Sequence, residues 1–140
     1  NKTGKINSKF KYDSYGNYYN EDDKVKFDSK GRLQQNESFY SSGELMSKKN
    51  YEYNKDGCII KRYSKNGNLE RYEKSDIENN ILEIKKWKAE YDYNYDFTGM
   101  KLLYHETFKY EYDPMNNWIK QTTYKNGSLY IIEERKIEYS

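Results

Sequence analysis

The stretch YDPMNNW, residues 112–118, places an aromatic residue and an aspartate before two asparagines and a second apolar residue. The same pattern occurs as FDSKGRL at residues 27–33 and, with asparagine as its second residue, as YNKDGCI at 53–59. The fifth position is always Gly or Asn, the residues that best tolerate a left-handed backbone. Because a three-residue hairpin loop needs that conformation at its last residue, each copy predicts a β-hairpin.

Seven copies of this pattern follow one another along the chain, and in six of them the first residue is aromatic. We expect the first and seventh residues of each copy to face each other across the hairpin, as Tyr53 with Ile59. The second and sixth should also meet, as Asp28 with Arg32. The copies begin at Tyr12, Phe27, Tyr53, Tyr63, Ser75, Tyr95 and Tyr112, and their turn-forming residues are Gly16, Gly31, Gly57, Gly67, Asn79, Gly99 and Asn116.

Two further turns are one residue shorter, YSSGEL at 40–45 and YKNGSL at 124–129. Gly43 and Gly127 are their turn-forming residues, and we expect two-residue loops that pair Tyr40 with Leu45 and Tyr124 with Leu129. Nine turns imply about ten strands. The sequence therefore predicts an all-β, single-domain antiparallel meander that is twisted and curled into a half-barrel or a spiral ribbon.

Between the turns, aromatic or apolar residues alternate with charged ones, which predicts one tyrosine-rich face and one charged face. In the segments 18–27 and 33–40, the two end residues are an odd number of positions apart, so a regular strand would turn them to opposite faces. Each segment should therefore contain a bulge or a break, the first near residues 20–24. The long segment 81–95 should bend near Ala89. A helix beginning with the Ser75–Glu78 capping box is the alternative for this region, but Asn79 and the hairpin pattern favour strands.

Composition limits the kind of protein this is. A chain of 140 residues suits one domain spanning residues 1–140, with residues 1–8 as a disordered lead-in. The 25 basic and 23 acidic residues are interleaved, which argues against a nucleic-acid partner. No stretch reaches the roughly 20 apolar residues of a membrane span, and the single Cys58 excludes an internal disulfide.

No residue pattern predicts a catalytic, cofactor-binding or metal site, so the sequence favours a protein that is not an enzyme. His105, the only histidine, lies in a strand pattern without nucleophile or metal-ligand spacing. Asp92, Asn94 and Asp96 resemble the start of a calcium loop, but Phe97 stands where that loop needs glycine. We expect these three side chains to lie on a solvated strand face.

The tyrosine-rich face is the best candidate for a functional surface. Part of it should form the core, but one sheet of about ten strands cannot bury a whole face unless it curls, folds onto itself or meets a partner. Exposed rows of Tyr and Trp would bind sugar rings or an amphipathic protein surface. The sequence thus predicts a face for a protein or glycan partner, made by Tyr53, Tyr91, Tyr93, Tyr110, Tyr112, Trp118 and Tyr124.

The copies YDSYGNY (12–18), FDSKGRL (27–33) and YDPMNNWIK (112–120) resemble the YD repeats of the Rhs family. The closing stretch TTYKNGSLYIIEERKIEY (122–139) is similar to the ends of small repeat proteins of the Bacteroidetes group, and the resemblance as a whole covers about residues 9–139. The repeated hairpins, the tyrosine-rich face and the absence of a catalytic pattern lead us to expect a non-enzymatic binding or scaffold module of a bacterial envelope or secreted protein. The turns FYSSGEL and TYKNGSL resemble those of an antitoxin-like family, which implies toxin neutralisation as the alternative.

Overall fold

The computed structural model describes residues 9–139, so the lead-in expected over residues 1–8 lies outside the described residues. This part of the chain folds into eleven strands. They are β1 (Phe10–Tyr12), β2 (Tyr18–Asn20), β3 (Lys24–Phe27), β4 (Leu33–Phe39), β5 (Leu45–Asn54), β6 (Gly57–Ser64), β7 (Leu69–Asp76), β8 (Ile81–Tyr91), β9 (Phe97–Tyr112), β10 (Trp118–Lys125) and β11 (Ser128–Glu134).

Strands β3 to β11 form one antiparallel sheet in chain order, and β1 pairs with β2 in a separate hairpin. The predicted meander is confirmed, and the sheet is open, with β3 and β11 as its edges. There are eleven strands because the segment 18–27 breaks between Asn20 and Lys24, close to the expected position. The helix alternative is wrong, since Asn79 adopts φ 65° in the turn between β7 and β8.

Seven turns share the predicted three-residue loop. In each, the second residue of the pattern donates its backbone N–H to the carbonyl of the sixth, and the fifth donates to the carbonyl of the second. In the 28–32 turn these bonds measure 2.8 and 3.0 Å, and Asp28 also forms an ion pair with Arg32 at 2.8 Å. The seven turns span 13–17, 28–32, 40–44, 64–68, 76–80, 92–96 and 113–117.

The turn at 40–44 belongs to this group, so the expected two-residue loop is wrong there. Tyr40 occupies the second position, its N–H bonding to the Glu44 carbonyl at 2.9 Å. Phe39, not Tyr40, therefore pairs with Leu45. β4 runs from Leu33 to Phe39, and the bulge expected within 33–40 is present at Gln34, which is left without a partner between the pairs Lys26–Gln35 and Phe27–Leu33. The two-residue loop predicted at 126–127 is confirmed, with Tyr124 opposite Leu129.

The predicted turn at Gly99 is also wrong. The chain turns earlier, at 92–96, where Tyr91 pairs with Phe97 and Tyr95 takes the left-handed position at φ 66°. Gly99 lies inside β9, opposite Glu90. The sequence reading failed here because a tyrosine stands where every other copy has Gly or Asn.

The pairing predicted between Tyr53 and Ile59 is wrong. The loop between β5 and β6 contains only Lys55 and Asp56, and Tyr53 pairs with Cys58. Because side chains alternate along a strand, a loop shorter by one residue turns Ile59 to the opposite face.

Tyrosines consequently occupy both faces of the sheet, not one as predicted. The register puts Tyr51 and Tyr53 on one face but Tyr63 and Tyr72 on the other. In six hairpins, the strand that follows the turn also has one unpaired residue directly after the seventh residue of the pattern. Each such bulge again changes which face the next side chains occupy. These bulged residues are Gln34, Met46, Glu70, Leu82, Thr98 and Ile119.

The core lies at the N-terminal end of the sheet, where the β1–β2 hairpin covers one face. Leu33, Tyr51 and Cys58 are buried there, with Tyr15, Tyr19, Val25, Tyr53 and Ile60 packed around them. The Asp13 carboxylate joins hairpin to sheet by accepting the Leu33 N–H at 2.6 Å. We call the side of the sheet covered by this hairpin the hairpin face.

Candidate binding surfaces

The residues predicted to form one binding face are distributed over four places. Tyr53 belongs to the core. Its hydroxyl donates to the Leu33 carbonyl at 2.6 Å and accepts from the Asn17 amide at 3.0 Å, while the Arg32 guanidinium stacks 4.2 Å from its ring centroid. Burial raises the pKa of Tyr53. This side chain holds the β1–β2 hairpin in place.

Tyr110, Tyr112 and Trp118 do lie together, near the 113–117 turn. The Tyr110 ring is 6.2 Å from Tyr112 and 6.0 Å from Trp118. The Tyr110 hydroxyl donates to the Ile81 carbonyl at 2.7 Å, and Arg135 covers Trp118 at 3.8 Å. Tyr110 and Trp118 are therefore engaged in packing strands β8 to β10 together, whereas Tyr112, at the other end of the cluster, is 41% accessible.

Tyr124 points away from that cluster. It pairs with Thr107, whereas Tyr110 pairs with Gln121, three residues earlier on β10, so the two tyrosines face opposite sides of the sheet. The Lys109 ammonium lies 5.5 Å from the Tyr124 ring. Tyr124 is half-buried and contributes to a separate surface.

Tyr91 and Tyr93 belong to a two-stranded extension that we call the arm, residues 87–102. The ladder between β7 and β8 ends at Lys86, and that between β9 and β10 ends at Glu106. Beyond these points, Trp87–Tyr91 pair only with Phe97–Leu102. The end of the arm is highly exposed, with 91% of Tyr93 and 87% of Tyr95 accessible.

A groove of about 380 Å³ separates the arm from the neighbouring turns at 40–44 and 64–68. Lys65, Lys88 and Glu70 stand at its polar margin. Its aromatic and thioether side chains, which we call the aromatic groove, are Tyr40, Met46, Trp87, Tyr91, Phe97 and Met100.

Of the seven predicted face residues, only Tyr91 lines this groove. The turns at 40–44, 64–68 and 92–96 lie at the same end of the sheet because alternate hairpins of a meander reverse at the same edge. If the turn had been predicted at 92–96, the strand order alone would have placed Tyr40 and Phe97 at the same end of the sheet. The misplaced turn at Gly99 concealed this signal.

The chemically reactive side chains considered from the sequence have structural partners. His105 Nε2 lies 2.6 Å from the Glu83 carboxylate. Cys58 is buried, and burial raises the pKa of its thiol to about 12. Among residues 9–139, no group of three or more His, Cys, Asp or Glu side chains could hold a metal ion.

Asp92, Asn94 and Asp96 lie in a turn, so the strand face expected for them is wrong. One Asp92 carboxylate oxygen accepts the backbone N–H groups of Asn94 and Asp96 at 2.8 and 3.0 Å. Asp92 thus serves to close the hairpin. The turn itself explains why these three residues resemble the spacing of an ion-binding loop.

No protein-family model matches the sequence, and no curated protein is detectably similar to it. In the described range 9–139 there is no helix long and apolar enough to cross a membrane. Functional assignment therefore depends on the surfaces themselves.

Proposed function

We propose that this chain is a non-enzymatic binding module that holds a protein partner in the aromatic groove. The observation that carries the proposal is the groove itself: four aromatic rings and two methionines border one cavity of about 380 Å³. Tyr, Trp, Phe and Met are the residues enriched at the centres of protein interfaces. Methionine thioethers adapt to varied apolar surfaces, which favours a protein over a sugar ring.

Exposure supports the same proposal. Tyr40, Met46, Tyr91 and Phe97 are 41–59% accessible, although all four are large apolar side chains. A contiguous group of such residues beside a charged margin is typical of an interaction site. The arm extends the surface further, because Tyr93 and Tyr95 project at its end as rigid aromatic contacts.

The expected setting of the module, a bacterial envelope or secreted protein, forms part of this proposal and comes from the sequence patterns. The toxin-neutralising alternative was suggested by two short turns. Only the 126–127 turn has the expected two-residue loop, so no observation favours that alternative over the general one.

A photo-crosslinking amino acid at position 91 tests the groove in cells that produce the protein. Tyr12 is the matched control, since it is also an exposed hairpin tyrosine, 70% accessible against 59% for Tyr91, but lies outside the groove. We expect a specific cross-linked protein from position 91 and not from position 12. Equal cross-linking from both positions would contradict the proposal.

Affinity measurements with the purified partner complete the test. Tyr40→Ala and Met46→Ala should each weaken binding by about tenfold or more, as expected for anchors at the centre of an interface. Tyr12→Ala should leave the affinity unchanged. If a glycan array yields a ligand whose binding depends on Tyr40 and Met46, the partner class proposed here is wrong.

A further inference from the structure

Four basic residues form a row across the hairpin face, one from each of four neighbouring strands. Lys49 on β5 stands directly opposite Arg62 on β6, Arg62 opposite Arg71 on β7, and Arg71 opposite Lys86 on β8. Directly opposed like charges destabilise a sheet. A row of four is therefore a costly arrangement that local folding requirements do not explain.

Three members of the row line a pocket of about 320 Å³ beneath the β1–β2 hairpin. Tyr18 and Asn17 come from the hairpin, and the sheet supplies the rest of the wall. The Lys49 ammonium lies 5.9 Å from the Tyr18 ring centroid. The full lining is Asn17, Tyr18, Lys49, Tyr51, Ile60, Arg62, Arg71 and Glu73, which we call the basic pocket.

The carboxylates nearby satisfy these cations incompletely. Arg71 forms a close pair with Glu73 at 3.1 Å. Arg62 lies 3.7 Å from Glu70, which is too long for a hydrogen bond. The buried Arg62 Nε has no hydrogen-bond partner within residues 9–139.

Lys49 is the least compensated member of the row. Burial lowers the pKa of Lys49, and the Arg62 and Arg71 charges lower it further, while Asp23 and Glu73 act in the opposite direction. Over the part of the chain that the structure describes, Lys49 has no ion-pair partner within 4 Å. The pocket wall thus holds a partly exposed guanidinium, whose nearest carboxylate lies beyond hydrogen-bond distance, beside an unpaired ammonium.

We propose that the basic pocket binds a sugar-sized ligand carrying an oxyanion, namely a carboxylate, sulfate or phosphate group. Arg62 and Lys49 contact the oxyanion, since a guanidinium and an ammonium favour charged oxygen acceptors. Tyr18 and Tyr51 border the ring, because aromatic side chains offer an apolar body with a polar hydroxyl. Glu73 holds Arg71 in place at the far wall.

The basic pocket and the aromatic groove share no lining residue. In the described part of the chain, Lys49 has no ion pair with a groove residue, so Lys49→Met separates the two sites more cleanly than Arg62→Met, because the Arg62 side chain lies 3.7 Å from Glu70. Loss of one function should leave the other intact, so failure of either proposal can be recognised separately.

Isothermal titration calorimetry at low ionic strength tests the pocket with glucuronate, glucose 6-sulfate and glucose 6-phosphate, and with neutral glucose as the matched probe. We expect saturable binding of at least one anionic sugar and binding of glucose weaker by about 10- to 100-fold, as for loss of a charge-assisted hydrogen bond. Equal affinities, or no saturable binding of any anionic sugar, would overturn the proposal. So would tighter binding of a blocked glutamate peptide than of any sugar.

Two variants locate the binding and one controls for general charge. Arg62→Met and Lys49→Met should each reduce the affinity by about 10- to 100-fold. Lys61→Met is the control, because Lys61 neighbours Arg62 on β6 but points to the opposite face, 3.9 Å from Glu52. An equal loss with Lys61→Met would show a diffuse charge effect and refute the pocket.

Thermal unfolding gives a readout that a merely structural role would not produce. Without ligand, Arg62→Met should unfold at a temperature no lower than the unmodified chain, because it removes like-charge opposition. With the anionic sugar, the unmodified chain should gain stability and Arg62→Met should not. A large loss of stability in the unliganded Arg62→Met variant would show that the row serves the fold instead.

Discussion

Replacing Gly57 by alanine should disrupt the contact between β6 and β7 more than any other glycine-to-alanine change described for this chain. Gly57 begins β6 with φ +146° and is buried. A Cβ at this position would lie 1.9 Å from the Ser75 carbonyl oxygen and 2.9 Å from two Asp76 backbone atoms. Because these are backbone atoms, no side-chain rotation can relieve the overlap, and the strands must separate.

The expected loss is the sum of two effects. Alanine at positive φ costs about 1–2 kcal/mol, and forcing atoms into a packed site typically costs about 1–3 kcal/mol more. The total of about 2–5 kcal/mol is a large share of the 5–15 kcal/mol that stabilises a typical domain. For a chain of this size, the midpoint temperature should fall by about 2–4 °C for each kcal/mol.

Urea unfolding followed by both tryptophan fluorescence and circular dichroism measures this loss, with coincident curves showing a two-state transition. Gly67→Ala is the matched control, because Gly67 also has positive φ, +83°, but nothing within 4 Å of the added Cβ. Gly67→Ala should lose only about 1–2 kcal/mol. Equal losses at the two positions would refute the close approach of β6 and β7 at Gly57.

Three other outcomes are expected. Tyr95→Gly should stabilise the fold by about 1 kcal/mol because it removes the strain of a tyrosine in the left-handed backbone conformation. Tyr93→Gly should give no such gain, and equal effects of the two changes in urea unfolding would contradict the strain at Tyr95. Asp13→Ala should lower the free energy of unfolding by about 2–4 kcal/mol, since the Asp13 carboxylate joins the hairpin to the sheet. This loss should be larger than that of Asp92→Ala, because the hydrogen bonds of Asp92 are confined to its own turn. Cys58 should react with a thiol reagent at pH 8 only at the rate of unfolding, because a pKa of about 12 leaves almost no thiolate; rapid labelling of the native chain would contradict its burial.

Local chemistry made the fold class predictable. The two-residue alternation indicates strands, and a residue such as Asn116, which adopts φ 65°, marks a corner. Aspartate at the second position completes the turn by accepting backbone N–H groups, as Asp113 does from Met115 and Asn117 at 2.9 Å. These interactions lie within seven residues, so the sequence contains nearly everything needed to recognise them.

The candidate sites were much less predictable, because they depend on register. At residues 53–59 a loop of two residues and a loop of three fit the sequence equally well, and the structure has two. That single residue turns Ile59 and Tyr63 away from Tyr53. Differences of one residue in loop length and register divide the predicted tyrosine face between the two sides of the sheet. The same differences align the row of basic residues.

Taken alone, the amino-acid sequence determined that this protein is an antiparallel meander reversing at left-handed corners. Tertiary structure decided which face each side chain occupies, where the β1–β2 hairpin packs, and which turns enclose the aromatic groove. The physical reason is that corner preferences amount to about 1–2 kcal/mol per residue, whereas a strand ladder and its packing sum many contacts. That sum can hold Tyr95 in a left-handed turn and Gly99 inside a strand, two residues from its start.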